Sequence, residues 1–203
     1  MSEAGDIRVE GEGHTRAAFI LRGALAVGAT YGAGAVAPFV SDAFAAVPQS
    51  DLTIVQFALG LEQLEAGFYK AALARAGLSG DVQKLATEFG GHEADHAQAL
   101  SQLLTQLGGK PAPAPKAKFG LTDQASFLKL AVQLEDTGVG AYNGAAPSVA
   151  TSDLLATLGS IVQTEARHSA AVRMAAGMDP APGAFEKPLS TAEVQAAVQP
   201  FSQ

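Results

Sequence analysis

The stretch Leu61-Glu62-Gln63-Leu64-Glu65-Ala66-Gly67-Phe68-Tyr69 is followed by Glu93-Ala94-Asp95-His96, and the same plan then occurs a second time. The second copy is Leu134-Glu135-Asp136-Thr137-Gly138-Val139-Gly140-Ala141-Tyr142, followed by Glu165-Ala166-Arg167-His168. Each shared residue of the first copy recurs 72 or 73 positions later. A duplicated structural unit is the simplest explanation of so constant a spacing.

Each copy supplies one lone glutamate and one Glu-x-x-His motif. Because positions i and i+3 share a helix face, the glutamate and histidine of each motif can approach the same ion. Four buried carboxylates without a cation are costly to desolvate, and two divalent ions balance their charge. A mixed oxygen and nitrogen ligand set favours iron or manganese over a lone structural zinc. The predicted ligands of two Fe or two Mn ions are Glu62, Glu93, His96, Glu135, Glu165 and His168.

Four segments show the 3.6-residue apolar periodicity of helices, with recognisable ends, and the six predicted ligands lie on their apolar stripes. No alternating strand pattern of comparable strength is present. The sequence therefore predicts an all-α four-helix bundle. The helices are expected from Ser50-Asp51 to before Gly77, from Asp81 to Gly108-Gly109, from Thr122 as N-cap to near Pro147, and from Ser152 to Gly177.

A proline-rich segment, 108–121, separates the two helical hairpins. Its 14 residues can span up to about 46 Å, whereas a helix over 51–76 is roughly 39 Å long. The segment is thus long enough to cross the whole bundle and join two antiparallel hairpins. Behind the fourth helix, Ser190 is expected to cap a short helix over 191–199. The expected division is a leader or anchor over 1–46, a bundle over 50–178 and a tail over 179–203.

Composition narrows the classes of function. The 203 residues carry a net charge of −7, which argues against a nucleic-acid-binding protein with its basic face. With 48% hydrophobic residues the chain can build a sizeable core. It contains no cysteine, which excludes disulfides, zinc–thiolate sites and iron–sulfur centres within this sequence.

The first 46 residues have the layout of a bacterial export signal. Arginine-flanked Thr15-Arg16-Ala17-Ala18-Phe19-Ile20-Leu21-Arg22 precedes a charge-free run over 23–40, and Ala43-Phe44-Ala45 offers a small-residue cleavage site. The stretch resembles a twin-arginine signal, with Ala17 where the second arginine belongs. We expect export to the periplasm, the cell wall or the medium. If the leader is retained, it would act as a membrane anchor. The third interpretation of this apolar run is an extra helix that is buried in the fold.

Together these motifs resemble the ferritin-like superfamily, most closely the ferritin-like domain proteins that include exported bacterial members and plant desiccation-related proteins. The resemblance rests on 61–69, 134–142 and Ala-Phe-Glu-Lys-Pro-Leu-Ser at 184–190, and it covers about 50–201. It implies a ferritin-like four-helix bundle that is built from two hairpins joined by a long crossover.

The resemblance also implies a role for each ligand. Glu62 and Glu135 are expected as terminal or bridging ligands, and Glu93 with Glu165 as bridging ligands. The two histidines would each bind one ion through a ring nitrogen. Tyr69 and Tyr142 follow the lone glutamates by about two helical turns, so they either donate hydrogen bonds to carboxylates or simply pack in the core.

The function implied by the resemblance is redox chemistry at the metal pair, with O2 or peroxide as the small-molecule partner. Ferroxidase-type and peroxide-removing activities both fit. A non-catalytic stress or desiccation-related protein with a vestigial metal site is the alternative, because a fold does not fix a function. The chain is therefore a candidate di-metal oxidoreductase rather than an established enzyme, and a homo-oligomer is a further expectation.

Two residues compete with this ligand set. Glu65 lies one turn past Glu62 and can substitute for it, but its counterpart in the second copy is Gly138. His92 completes the motif His92-Glu93-Ala94-Asp95-His96, which matches the H-E-x-x-H helix of zinc peptidases. The peptidase interpretation lacks a third ligand soon after His96 and leaves the second copy without a role.

Overall fold

The computed structural model describes residues 49–201, which fold into five α-helices and, over that range, no β-strand. The predicted all-α four-helix bundle with a short C-terminal helix is confirmed. The expected leader over 1–46 lies outside the described residues. Within 49–201, no helix combines the length and the apolar character needed to cross a bilayer. The helices are α1 Gln49–Arg75, α2 Gly80–Gln106, α3 Gln124–Ala145, α4 Ser152–Ala175 and α5 Thr191–Val198, with 3₁₀ turns at Ala146–Ser148 and Gln199–Phe201.

The segment between α2 and α3 runs along α1 as the predicted crossover. Near its start, the amide of Ala112 donates to Gln56 Oε1 at 3.3 Å, and Gln63 Nε2 donates to the carbonyl of Ala112 at 3.4 Å. Farther along, the Phe119 ring packs edge-on against Phe68 with a centroid distance of 5.3 Å. Since α3 therefore begins at the end of the bundle where α1 stops, α1 and α3 run antiparallel.

Side-chain caps fix where the later helices start. Asp123, rather than the expected Thr122, is the N-cap of α3: its carboxylate accepts from the amide of Ser126 at 2.8 Å, while Ser126 Oγ accepts from the amide of Asp123 at 3.0 Å. An acidic side chain one residue nearer the helix makes this reciprocal pair and displaces Thr122 from the role. Ser190 caps α5 as expected, in the same reciprocal arrangement with Glu193.

Two apolar clusters fill opposite ends of the bundle. One is built around Phe68, Phe89 and Phe127, and the other around Leu104 and Leu154. On each of the four long helices, the glutamate of the predicted ligand set falls between residues of the two clusters. Those four glutamates are at most 1% exposed. The bundle therefore holds a layer of carboxylates between two apolar layers.

The C-terminal tail docks on α3 through two glycines. The amide of Leu189 donates to the carbonyl of Gly140 at 2.8 Å. A Cβ on Gly144 would stand 1.9 Å from the carbonyl oxygen of Leu189, so the absence of a side chain there permits the close approach.

Candidate metal centre

The six predicted ligands come together in two overlapping groups at the centre of the bundle. Each group has four residues, and the ligand atoms within a group lie within 4.8 Å of one another. Glu93 and Glu165 belong to both groups, whereas each histidine belongs to one. This is the arrangement expected for two neighbouring ions with two shared carboxylates. The groups are Glu62, Glu93, His96 and Glu165, and Glu93, Glu135, Glu165 and His168.

The first group is organised around Nδ1 of His96. This atom lies 3.1 Å from Glu62 Oε2, 3.3 Å from Glu93 Oε2 and 3.1 Å from Glu165 Oε1. Its side chain is 15% exposed, while the three carboxylates are fully buried. The three oxygens come from α1, α2 and α4, so three helices must pack correctly before this group exists.

The second group is organised around Nδ1 of His168. This atom lies 2.8 Å from Glu93 Oε1 and 3.5 Å from Glu135 Oε2. On one side, the Phe89 ring stacks on the imidazole with a centroid distance of 4.0 Å. At the opposite ring nitrogen, His168 Nε2 lies 2.9 Å from Nδ1 of His92. Phe89 and His92 therefore hold the imidazole so that Nδ1 faces the carboxylates.

The donor atoms of this cluster are close together yet poorly satisfied by the protein. Among residues 49–201, several of its buried atoms have no hydrogen-bond partner, and the short contact between His168 Nδ1 and Glu93 Oε1 is not aligned as a hydrogen bond. Buried polar atoms are normally paired, and atoms that converge without pairing are suited to a shared cation. The residues therefore fit a metal pair. The unpartnered atoms of the two groups are Glu93 Oε1, Glu135 Oε2, both carboxylate oxygens of Glu165, and His168 Nδ1.

The two tyrosines bond to carboxylates across the bundle. The hydroxyl of Tyr69 donates to Glu135 Oε1, and the hydroxyl of Tyr142 donates to Glu62 Oε1. Each tyrosine thus serves the lone glutamate of the other copy. Of the two interpretations that the sequence left open, the geometry shows hydrogen bonding, and both rings also belong to the flanking apolar clusters.

The pKa values of the buried groups in this cluster are shifted in the directions that favour bound positive charge. Burial raises the pKa of Glu62 to about 7, and burial together with neighbouring carboxylates raises the pKa of Glu165 well above its usual range. Burial opposes a charged His96, but contacts with Glu165, Glu62 and Glu93 outweigh it and raise its pKa to about 12. For His168, burial is likewise outweighed by Glu135 and Glu93, which raise its pKa to about 10. The raised pKa values mean that these groups hold protons tightly, and such protons compensate the carboxylate charge that metal cations would otherwise balance.

Glu93 is the exception among the carboxylates. Its burial opposes ionisation, yet its contacts with His168 and His96 prevail and lower its pKa to about 2. Glu93 is thus the carboxylate that stays ionised between the two imidazoles. Glu93 also belongs to both ligand groups.

Both ambiguous residues lie beside the cluster. Glu65 is 3% exposed and shares the carboxylate layer, but it belongs to neither of the two ligand groups found within 49–201. Comparison of the repeats did not anticipate its burial. The sequence feature that could have indicated the burial of Glu65 is its spacing of one helical turn from Glu62. His92 is half-buried, contacts His168 and belongs to neither of the two groups found within 49–201. It contacts the imidazole of His168 instead of pairing with His96 as the peptidase motif requires.

Comparison with known proteins places this site in a family. No curated protein matches the chain. A conserved hypothetical protein from Mycobacterium tuberculosis, whose crystal structure is known, shares its fold with a TM-score of 0.58 and 16% identity; the match covers 63% of this chain and 98% of that one. At that identity the likeness concerns the fold alone. The family model for the ferritin-like domain matches residues 50–178, well over half of the sequence, and the chain therefore belongs to the ferritin-like domain family.

Proposed function

We propose that this protein binds two iron or two manganese ions in the layer of carboxylates and uses them in redox chemistry with O2 or peroxide. The observation that carries the proposal is the pair of ligand groups that share Glu93 and Glu165. Two shared carboxylates and one histidine per group match two ions held side by side, and oxygen with nitrogen ligands suits iron and manganese. Such a pair, when bound, supplies electrons for a ferroxidase-type or peroxide-removing reaction.

The surrounding residues limit what can react there. The four glutamates are at most 1% exposed, and apolar clusters close the site from both ends. A substrate therefore has to be very small, which favours O2, peroxide or the metal ions themselves. His96, with 15% of its side chain exposed, marks the side on which the centre comes nearest to solvent.

The protein's own groups prepare the site for charge. Tyr69 and Tyr142 each hold one oxygen of a lone glutamate. The second oxygen lies beside Nδ1 of His168 or His96, where an ion would bind. His92 and Phe89 keep Nδ1 of His168 directed at the carboxylates. Because these contacts exist before any ion arrives, less side-chain freedom has to be lost on binding.

Metal analysis tests the binding part of the proposal. Protein covering 47–203, purified from cells, should contain about two Fe or Mn ions per chain. Glu93→Gln should lose both ions, because Glu93 belongs to both groups. Glu88→Gln is the matched control, since Glu88 is an exposed carboxylate on the same helix. Equal metal content in the two variants would contradict the shared site.

Turnover is tested separately, by O2 consumption after anaerobic loading with Fe(II) and by peroxide removal after loading with Mn(II). Loaded protein that does neither would favour the non-catalytic stress or desiccation-related alternative. A single zinc that is lost in His92→Ala and retained in His168→Ala would instead support the peptidase.

Export is part of the same proposal and rests on the sequence of 1–46. The N-terminus of protein recovered outside the cytoplasm should lie just after Ala45.

A further inference from the structure

Glu65 lies inside the carboxylate layer, although its counterpart in the second copy is a glycine. Its side chain is 3% exposed, and Oε2 has no hydrogen-bond partner within residues 49–201. Oε1 of Glu65 lies 3.2 Å from the place where a Cβ on Gly138 would stand, and Oε2 of Glu165 lies at the same distance from it. Glu65 thus reaches from α1 across to α3 and ends beside a shared carboxylate of the metal centre.

The register of α1 and α3 explains why only one copy has this glutamate. The crossed hydrogen bonds place Glu62 level with Tyr142, and Tyr69 level with Glu135. Between these two levels, Glu65 faces Gly138. Because the two crossed bonds exchange the copies, an approximate two-fold axis passes between these two residues. Glutamates at both positions would meet on that axis and repel, so Gly138 leaves the space to Glu65.

We infer that Glu65 is a fifth carboxylate ligand of the metal centre, positioned near the approximate two-fold axis that relates the two copies. The inference rests on the proposed function and deepens it. Five ionised carboxylates carry one more negative charge than two divalent ions neutralise, whereas one divalent and one trivalent ion balance them. Glu65 therefore favours the more highly charged metal pair, since unpaired charge is costly in a buried site.

A buried acid that merely fills space is the competing role, and variants separate the two. Oε2 of Glu65 is buried without a hydrogen-bond partner among residues 49–201, so a neutral side chain of the same size suits the ligand-free fold. Glu65→Gln keeps that size and neutrality, and the ligand-free variant should fold like the parent. It cannot, however, supply a negatively charged oxygen to an ion.

Anaerobic titration of the purified protein with Co(II), followed by its visible absorption, tests the inference. Glu65→Gln should lower the Co(II) affinity about 10-fold or more and change the absorption bands, because a ligand is lost. The exchange Glu65→Gly with Gly138→Glu should restore both, since the two positions face each other across the axis. Glu88→Gln, at an exposed carboxylate, should change neither.

The outcomes distinguish this inference from the proposed function. If the parent binds about two Co(II) per chain and Glu65→Gln binds them with the same affinity and spectrum, Glu65 is not a ligand and the six-ligand centre stands. If the parent binds no Co(II), both fall. Weakened binding in Glu65→Gln that a folded exchange variant does not recover would overturn the position of the carboxylate on the axis.

Discussion

Tyr142 on α3 donates its phenolic hydrogen bond to Glu62 on α1, the lone glutamate of the other copy. Tyr69 and Glu135 make the reciprocal bond. The two copies are therefore tied together at the site itself, and neither copy completes its own carboxylate environment. This crossed pair joins the fold to the proposed site, because the same bonds that set the register of two helices also orient two of the predicted ligands.

Tyr142→Phe should weaken both the fold and the metal centre. The change leaves a buried Glu62 oxygen without its donor, which costs about 1–3 kcal/mol of the free energy of unfolding. Metal affinity should fall about 10-fold or more, because the carboxylate is no longer oriented. Urea unfolding of ligand-free protein and Co(II) titration measure the two effects.

The Glu62→Gln variant provides the background in which the effect of Tyr142→Phe is controlled. Glu62→Gln keeps an acceptor oxygen but removes the charge, and bonds to charged acceptors are the stronger ones. Tyr142→Phe should therefore cost less in the Glu62→Gln background than in the parent, when both are measured above the Glu62 pKa of about 7. Equal losses in both backgrounds would mean that ring packing, rather than the hydrogen bond, accounts for the effect.

The ligand-free protein should become less stable as pH rises from 4.5 to about 7. The pKa of Glu62 is raised across that interval, so the folded protein holds a proton that the unfolded chain releases. This stabilising contribution is complete below 4.5 and is lost as pH rises through about 7. Glu135 and Glu165, whose pKa values are also raised, act in the same direction.

The other titrating groups do not reverse this trend. The raised pKa values of His168 and His96 keep their contributions complete below 6.5, and these are lost as pH rises through about 10 for His168 and about 12 for His96. Glu93 has the opposite sign, but its contribution is lost only as pH falls from 4.5 through about 2. Their main changes therefore lie outside the interval in which the raised carboxyls act.

Metal binding should have the opposite pH dependence, because an ion must displace these protons. The increase in melting temperature on adding Mn(II) should therefore grow between about pH 5 and pH 8. Thermal unfolding with and without Mn(II) across that range measures it. A shift that stays constant with pH would show that no protons are displaced on binding.

The sequence predicts the bundle and its six converging ligands because Glu-x-x-His motifs on periodic helices dictate which faces turn inward. It is less informative about contacts between copies. The spacing of Tyr69 from Glu62 places both on one face of α1, but it cannot show that the hydroxyl reaches Glu135 instead. Comparison of the repeats also set Glu65 aside, because the partner position is Gly138. In the structure, a Cβ on Gly138 would stand only 3.2 Å from Oε1 of Glu65, so the glycine leaves room for this one carboxylate.

Asp51→Ala should destabilise the bundle without touching the carboxylate layer. The buried side chain of Asp51 accepts from the amides of Ala150 and Thr151 at 2.9 and 3.0 Å and from the Thr151 hydroxyl, so it ties the start of α1 to the start of α4. Its loss leaves these donors unpaired and should cost about 2–4 kcal/mol in urea unfolding. Asp153→Ala, at an exposed aspartate in the first turn of α4, should change stability by about 0.5 kcal/mol or less.

The contribution of Asp51 has its own pH signature. Burial opposes its ionisation, but the hydrogen bonds from Ala150 and Thr151 prevail and lower its pKa below 3.8. The contribution is therefore complete above 3.8 and is lost as pH falls through the lowered pKa. The stability difference between the parent and Asp51→Ala should shrink at acid pH. A difference that persists there would assign the effect to packing.

Gly144→Ala should release the C-terminal tail from α3. The added Cβ would lie 1.9 Å from the carbonyl oxygen of Leu189, and a backbone atom at that distance has to move. The amide of Leu189 would then lose its bond to Gly140 and exchange with solvent faster, as hydrogen exchange at this amide measures. Gly159→Ala is the matched control, because a Cβ there meets nothing within 4 Å. Gly159→Ala should stabilise α4 by up to about 1 kcal/mol and leave the amide of Leu189 protected from exchange. If exchange at Leu189 is unchanged in Gly144→Ala, the tail is held by other contacts.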